Sequence, residues 1–148
     1  MSSNKNVISA IITDEQRASI LGAAPAEFPN VFALVFTWEY GVRNDAPFQI
    51  GGLQLTLDRV QTDPIRGVQI ALGHITDGTT TWHRRPDGRP VHVTISTKQG
   101  VPPSEGGLLL PTDGTTTPID PVTFTTFLNM RHATKLHPTP RERLAPAT

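Results

Sequence analysis

The stretch Val31-Phe32-Ala33-Leu34-Val35-Phe36-Thr37-Trp38-Glu39-Tyr40-Gly41-Val42 decides how the rest of the chain is read. Phe32, Leu34, Phe36, Trp38 and Tyr40 fall on one side at a spacing of two, and Val31, Ala33, Val35, Thr37 and Glu39 on the other. That period is the pleat of a strand, not the turn of a helix. Both sides stay largely apolar up to Thr37, which predicts a central strand covered on both faces over its first half. The run holds two of the six Phe, one of the two Trp and the only Tyr, so it is expected to be the spine of the core.

The flanking segments repeat the pattern. Leu53, Leu55 and Leu57 alternate with Gln54, Thr56 and Asp58. Val68, Ile70 and Leu72 alternate with Gln69, Ala71 and Gly73, and Val91, Val93 and Ile95 with His92, Thr94 and Ser96. Each predicts a half-buried strand with the apolar set inward. A further strand is expected over 79–84. Asn44 to Pro47, Asp63-Pro64, Asp77-Gly78 and Pro86-Asp87-Gly88 are turn signals between them. The hexapeptide Thr76 to Thr81 recurs as Thr112 to Thr117, which reads as repeated turn chemistry because the flanks differ.

Helix signals are few. Thr13 with Gln16 three residues on is a capping box, with Asp14 and Glu15 on the positive end of the helix dipole and Gly22 as the expected stop. Residues 121–131 are ambiguous. Asp120-Pro121 reads as an N-cap followed by proline at the first helical position. Val122, Phe124, Thr126, Leu128 and Met130 fit a strand equally well, and the expectation leans to helix.

These elements predict a mainly β fold, a single antiparallel β-sandwich or barrel-like domain with one or two short helices and extended terminal arms. The boundaries expected are an N-terminal arm or edge strand over 1–12, a β-rich domain over 13–131 and a Pro-rich basic C-terminal arm over 132–148. Composition agrees: 20 Thr favour strands, while 14 Pro and 12 Gly supply turns. At 148 residues one domain buries enough surface to fold without a staple. The tail after His132 has only Leu136 and Leu144 as large apolar residues, so it is expected to order only against a partner.

Composition also excludes chemistry. With no Cys there is no disulfide, thiol nucleophile or Cys-ligated metal. There is no Walker loop, dinucleotide fingerprint or nucleophile elbow, so no enzyme and no cofactor is expected. His74, His83 and His92 recur every nine residues and invite a zinc reading, but their strand parities disagree. They are read as unrelated, with no metal. No apolar run reaches signal-peptide or membrane-span length. The expected place is the cytoplasm or a particle assembled there.

Net charge is zero, but residues 1–130 carry 9 basic and 12 acidic groups, while 131–148 carry Arg131, Lys135, Arg141 and Arg143 against Glu142. A zero balance argues against nucleic acid as the main partner. Only 18% of residues are charged, as in surfaces that subunits cover. The expectation is a structural protein that assembles with copies of itself or other proteins, such as a virion capsid, decoration or tail component, through its terminal arms. Arg84, Arg85 and Arg89 on one hairpin tip and Arg131, Lys135, Arg141 and Arg143 in the tail are the partner-binding candidates. The alternative is a carbohydrate-binding β-sandwich using Trp38, Tyr40 and Trp82 as a stacking platform.

Overall fold

The computed structural model describes residues 6–40, 49–103, 116–132 and 136–143. Its elements are β1 (Asn6–Ile11), α1 (Asp14–Ala23), β2 (Asn30–Val31), β3 (Val35–Tyr40), β4 (Gln49–Asp63), β5 (Val68–Thr76), β6 (Thr81–Trp82), β7 (His92–Thr97), β8 (Thr116–His132) and β9 (Thr139–Pro140). Among the described residues the strands form one antiparallel sheet in the order β3-β1-β8-β4-β5-β7-β2-β9, with β6 paired to β5 beyond the end of β7. The sheet is not closed.

The fold is mainly β, as expected, but the deciding stretch is not one strand. It breaks at Ala33, a buried alanine with φ +56. Before the break, Val31 pairs with Ser96, and the N–H groups of Phe32 and Ala33 donate to Ile95 and Thr94 of β7 at 2.7 and 2.8 Å. After it, the Ile12 N–H donates to the Leu34 carbonyl at 3.0 Å and β3 runs beside β1. One continuous segment therefore crosses from one side of the sheet to the other. The two sides are tied by this crossing segment, and β3 comes to lie near β7.

The long central strands coil to allow this. β4 carries a bulge between Leu57 and Arg59, and β8 slips there too, so that Leu57 pairs Val122 and Arg59 pairs Pro118. Asp120-Pro121 sits in that slip. The expectation of a helix over 121–131 is thus corrected: proline, unable to donate to a ladder, occupies a bulge in a strand. Gly73 faces the same place. A Cβ there would stand 1.7 Å from the Thr56 carbonyl oxygen, so only glycine lets β4 and β5 approach this closely.

Phe36, Leu55, Leu57, Ile75, Ile95 and Leu128 are the fully buried centre of the core, and α1 adds Ile20 to it. The Leu53, Leu55 and Leu57 face is inward as read from the sequence. β5 differs. Ala71 and Ile75 face the main core, while Val68, Ile70 and Leu72 form a second buried cluster on the opposite face. β5 is covered on both faces rather than half-buried, and His92 and Ser96, expected outside, are buried as well.

Residues 6–11 and 139–141 are integrated into the sheet. β1 lies between β3 and β8, so it is an inner strand and neither an arm nor an edge. In the tail, Thr139 pairs Val31 and Pro140 pairs Asn30, and the Arg141 N–H donates to Pro29 at 2.8 Å. Residues 139–141 thus order against the chain's own β2 and Pro29, while residues 133–135 and 144–148 of the expected arm lie outside the described residues. The helix begins as read: Gln16 N–H donates to Thr13 Oγ1 at 3.1 Å and Thr13 N–H to Gln16 Oε1 at 3.0 Å. Gly22 does not stop it, and Ala24 is the C-cap.

Candidate functional site

The hairpin arginines are held by their own turn. The Arg85 side chain is buried and its Nη2 lies 2.5 Å from Asp87 Oδ2. Arg89 Nε approaches the same carboxylate at 3.9 Å, and the Arg84 guanidinium donates to the Gly88 carbonyl at 2.9 Å. Burial pushes the Asp87 carboxyl up. The Arg85 bond, the Arg89 backbone N–H and the two guanidinium charges outweigh it and hold the pKa below its usual value. Of the three, Arg84 is exposed, Arg89 half-buried and Arg85 internal. In the tail, Arg141 donates to the Glu27 carbonyl at 2.9 Å, Arg143 is exposed and Lys135 lies outside the described residues.

Trp38 and Trp82, 44 positions apart in sequence, do meet. Their rings stand edge to face, with centroids 6.1 Å apart, and both pack against the main core. Phe36 continues the row at 6.4 Å from Trp38. This is the geometry of a core rim, with an edge laid on a face rather than two faces side by side. Of Tyr40 only the backbone is described, in register with Val7.

His74 and His83 also meet, with ring centroids 5.4 Å apart. His92 is separate. It is buried, and its Nδ1 lies 2.8 Å from the Pro90 carbonyl, so the neutral ring carries its proton on Nδ1 and donates there. Burial is the main cause that brings its pKa down from 6.5 to about 4; the Pro90 bond and Asp87 oppose this, and the Arg85 and Arg89 charges add to it. Among the described residues no group of three or more His, Asp or Glu side chains is placed to hold a metal ion.

Sequence reasoning missed a cleft. β1 pairs β8 only as far as Ser9 opposite Asn129, after which β1 continues along β3 and β8 along β4. The strands part, and a cleft of about 180 Å³ opens between them. Ile12, Phe36 and Phe124 form its apolar walls, and Thr13 and Gln16 border it from the start of α1. Ile11 and Phe127 also line it and are 64% and 58% exposed, two of the three large hydrophobic side chains exposed among the described residues. Arg131 lines it too, half-buried, and its buried Nε makes no hydrogen bond among the described residues. One signal was available: read as a strand, residues 123–131 put Phe127 alone among Thr123, Thr125, Asn129 and Arg131.

Among the described residues no helix is long and apolar enough to cross a membrane. Comparison with protein-family models, with curated proteins and with solved structures finds no match to the chain.

Proposed function

We propose that the protein is a structural component that assembles with further copies of itself into a larger particle, of which a virion shell or tail is one form. The observation that carries this reading is the pair Ile11 and Phe127, large apolar side chains left exposed on the rim of one cleft. Neighbouring exposed hydrophobics mark contact surfaces on proteins that are otherwise polar outside. The low charge of the chain supports the same reading. The assembling surface is this face of β1 and β8 rather than the terminal arms, since β1 is inside the sheet and residues 139–141 bind β2.

Light scattering after size exclusion tests it. The expected mass is a multiple of 16.1 kDa, falling to the single-chain value in the double variant Ile11→Ser, Phe127→Ser. A single-chain mass for the wild type over a wide concentration range overturns the reading.

A further inference from the structure

Arg131 stands apart from the other cations that contact the body of the fold. Arg17, Arg85, Lys98 and Arg141 each hold a carbonyl or carboxylate oxygen within 3 Å. Arg131 is half-buried and lines the cleft with Phe127 and Ile11, and its buried Nε has no acceptor among the described residues. A buried guanidinium N–H without an acceptor is costly, and an anion held by the Arg131 guanidinium from the cleft side would offset that cost. The single guanidinium matches one carboxylate in charge and in planar geometry. A phosphate, with a charge of about −1.5 to −2, would be left unbalanced. The rest of the cleft joins apolar walls to Thr13, Gln16, Thr125 and Thr126, and has room for a group about the size of one aliphatic side chain.

We propose that the cleft binds a monocarboxylate bearing a short apolar group, with the carboxylate on Arg131 and the apolar group against Ile11, Phe124 and Phe127. Two sources carry this chemistry: a free short-chain acid, and the last residue of a partner chain that ends in an apolar side chain. The proposal rests on the assembly reading only in assigning the second source.

The test is a nuclear magnetic resonance titration of the nitrogen-15-labelled full chain. The probes are hexanoate and N-acetyl-leucine, with hexanol and N-acetyl-leucine amide as uncharged counterparts, each to about 20 mM. Saturable shifts are expected at the Ile11, Thr13 and Phe127 amides and at Arg131 Nε–H. The uncharged counterparts are expected to bind about tenfold more weakly, and Arg131→Gln should lose that tenfold preference. Binding of hexanoate alone identifies the free acid as the source, and binding of N-acetyl-leucine alone identifies a chain end. Either outcome supports the shared chemistry. Absence of saturable shifts, or an undiminished affinity in Arg131→Gln, overturns it. If Arg131→Gln does not fold, Phe127→Ser takes its place, and undiminished binding there is equally fatal. Light scattering on the same samples separates the two readings. A single-chain mass with saturable binding removes assembly and keeps the cleft, and a multiple mass without binding does the reverse.

Discussion

Arg17 Nε donates to the carbonyl of Phe32 at 2.8 Å, one residue before the chain turns at Ala33. The same guanidinium reaches the Val31 carbonyl at 3.2 Å and Thr139 Oγ1 at 3.1 Å. One side chain thus joins α1, the crossing segment and β9. Arg17→Met is expected to cost about 2–4 kcal/mol, because two part-buried carbonyls lose a charged donor. Arg17→Lys should rescue little, since an ammonium lacks the planar fork that spans these acceptors. Urea denaturation measures the loss. Hydrogen exchange at the Arg141 amide should quicken in Arg17→Met, and unchanged exchange would show that Arg17 does not hold β9.

Two glycines should respond in opposite directions to alanine. Gly73→Ala places a methyl on the Thr56 backbone, where no rotamer change can relieve the clash, and should cost about 3 kcal/mol or prevent folding. Gly22 lies in α1 with nothing within 4 Å of an added Cβ. Gly22→Ala should therefore stabilise by about 0.5–1 kcal/mol through helix propensity. Thermal unfolding of the pair checks both signs, and a Gly73→Ala variant as stable as the wild type would contradict the close β4–β5 approach.

Gln69 fastens the connector after α1. Its Oε1 accepts from the Glu27 N–H at 3.0 Å and from Ser96 Oγ at 2.5 Å, and its Nε2 donates to the Pro25 carbonyl at 3.0 Å. It is 2% exposed, so water cannot replace these bonds. Gln69→Leu keeps the volume and orphans the partners, for an expected loss of about 3 kcal/mol. Ser96→Ala removes the bond to Gln69 and the one that Ser96 Oγ accepts from the Phe28 N–H at 3.2 Å, and should cost about 1–2 kcal/mol. Equal losses in the two variants would mean that the network does not act through Gln69.

Acid should weaken the fold through His92. Unfolded, this histidine takes up its proton near pH 6.5, while the folded protein holds it neutral down to about 4. Its contribution is present in full above about pH 6.5 and is lost as pH falls toward about 4, because the unfolded chain binds the proton first. The loss levels off near ~3 kcal/mol. In His92→Leu, stability should fall less between pH 6.5 and 4 than in the wild type. Parallel pH profiles of the two proteins would rule out a buried neutral His92.

What was legible in the sequence was local. The Thr13–Gln16 capping box involves four adjacent residues, and the structure contains it as read. The turn at Asp77 is as local: its carboxylate accepts from the Thr79 and Thr80 N–H groups at 2.8 and 2.7 Å, and these bonds, Thr80's first, hold its pKa low. The Leu53, Leu55 and Leu57 face was legible because one side of that stretch is polar. Val31 to Tyr40 misled because unbroken alternation does not record a turn carried by an alanine instead of a glycine. Asp120-Pro121 misled because a helix start and a bulged strand use the same dipeptide. Among the site candidates, the Trp38–Trp82 and His74–His83 contacts depend on how far the sheet coils.

The sequence by itself determined that this chain is β-rich, where its helix begins and where its hairpins turn, because caps, turns and period-two alternation are set by residues a few positions apart. The tertiary structure alone decided that β1 lies between β3 and β8, that Val68, Ile70 and Leu72 are buried on the second face of β5, and that Ile11, Phe127 and Arg131 border one cleft. Those outcomes depend on which distant strands pair and on where a pairing ends. The alternation of one strand is the same whichever neighbour it finds.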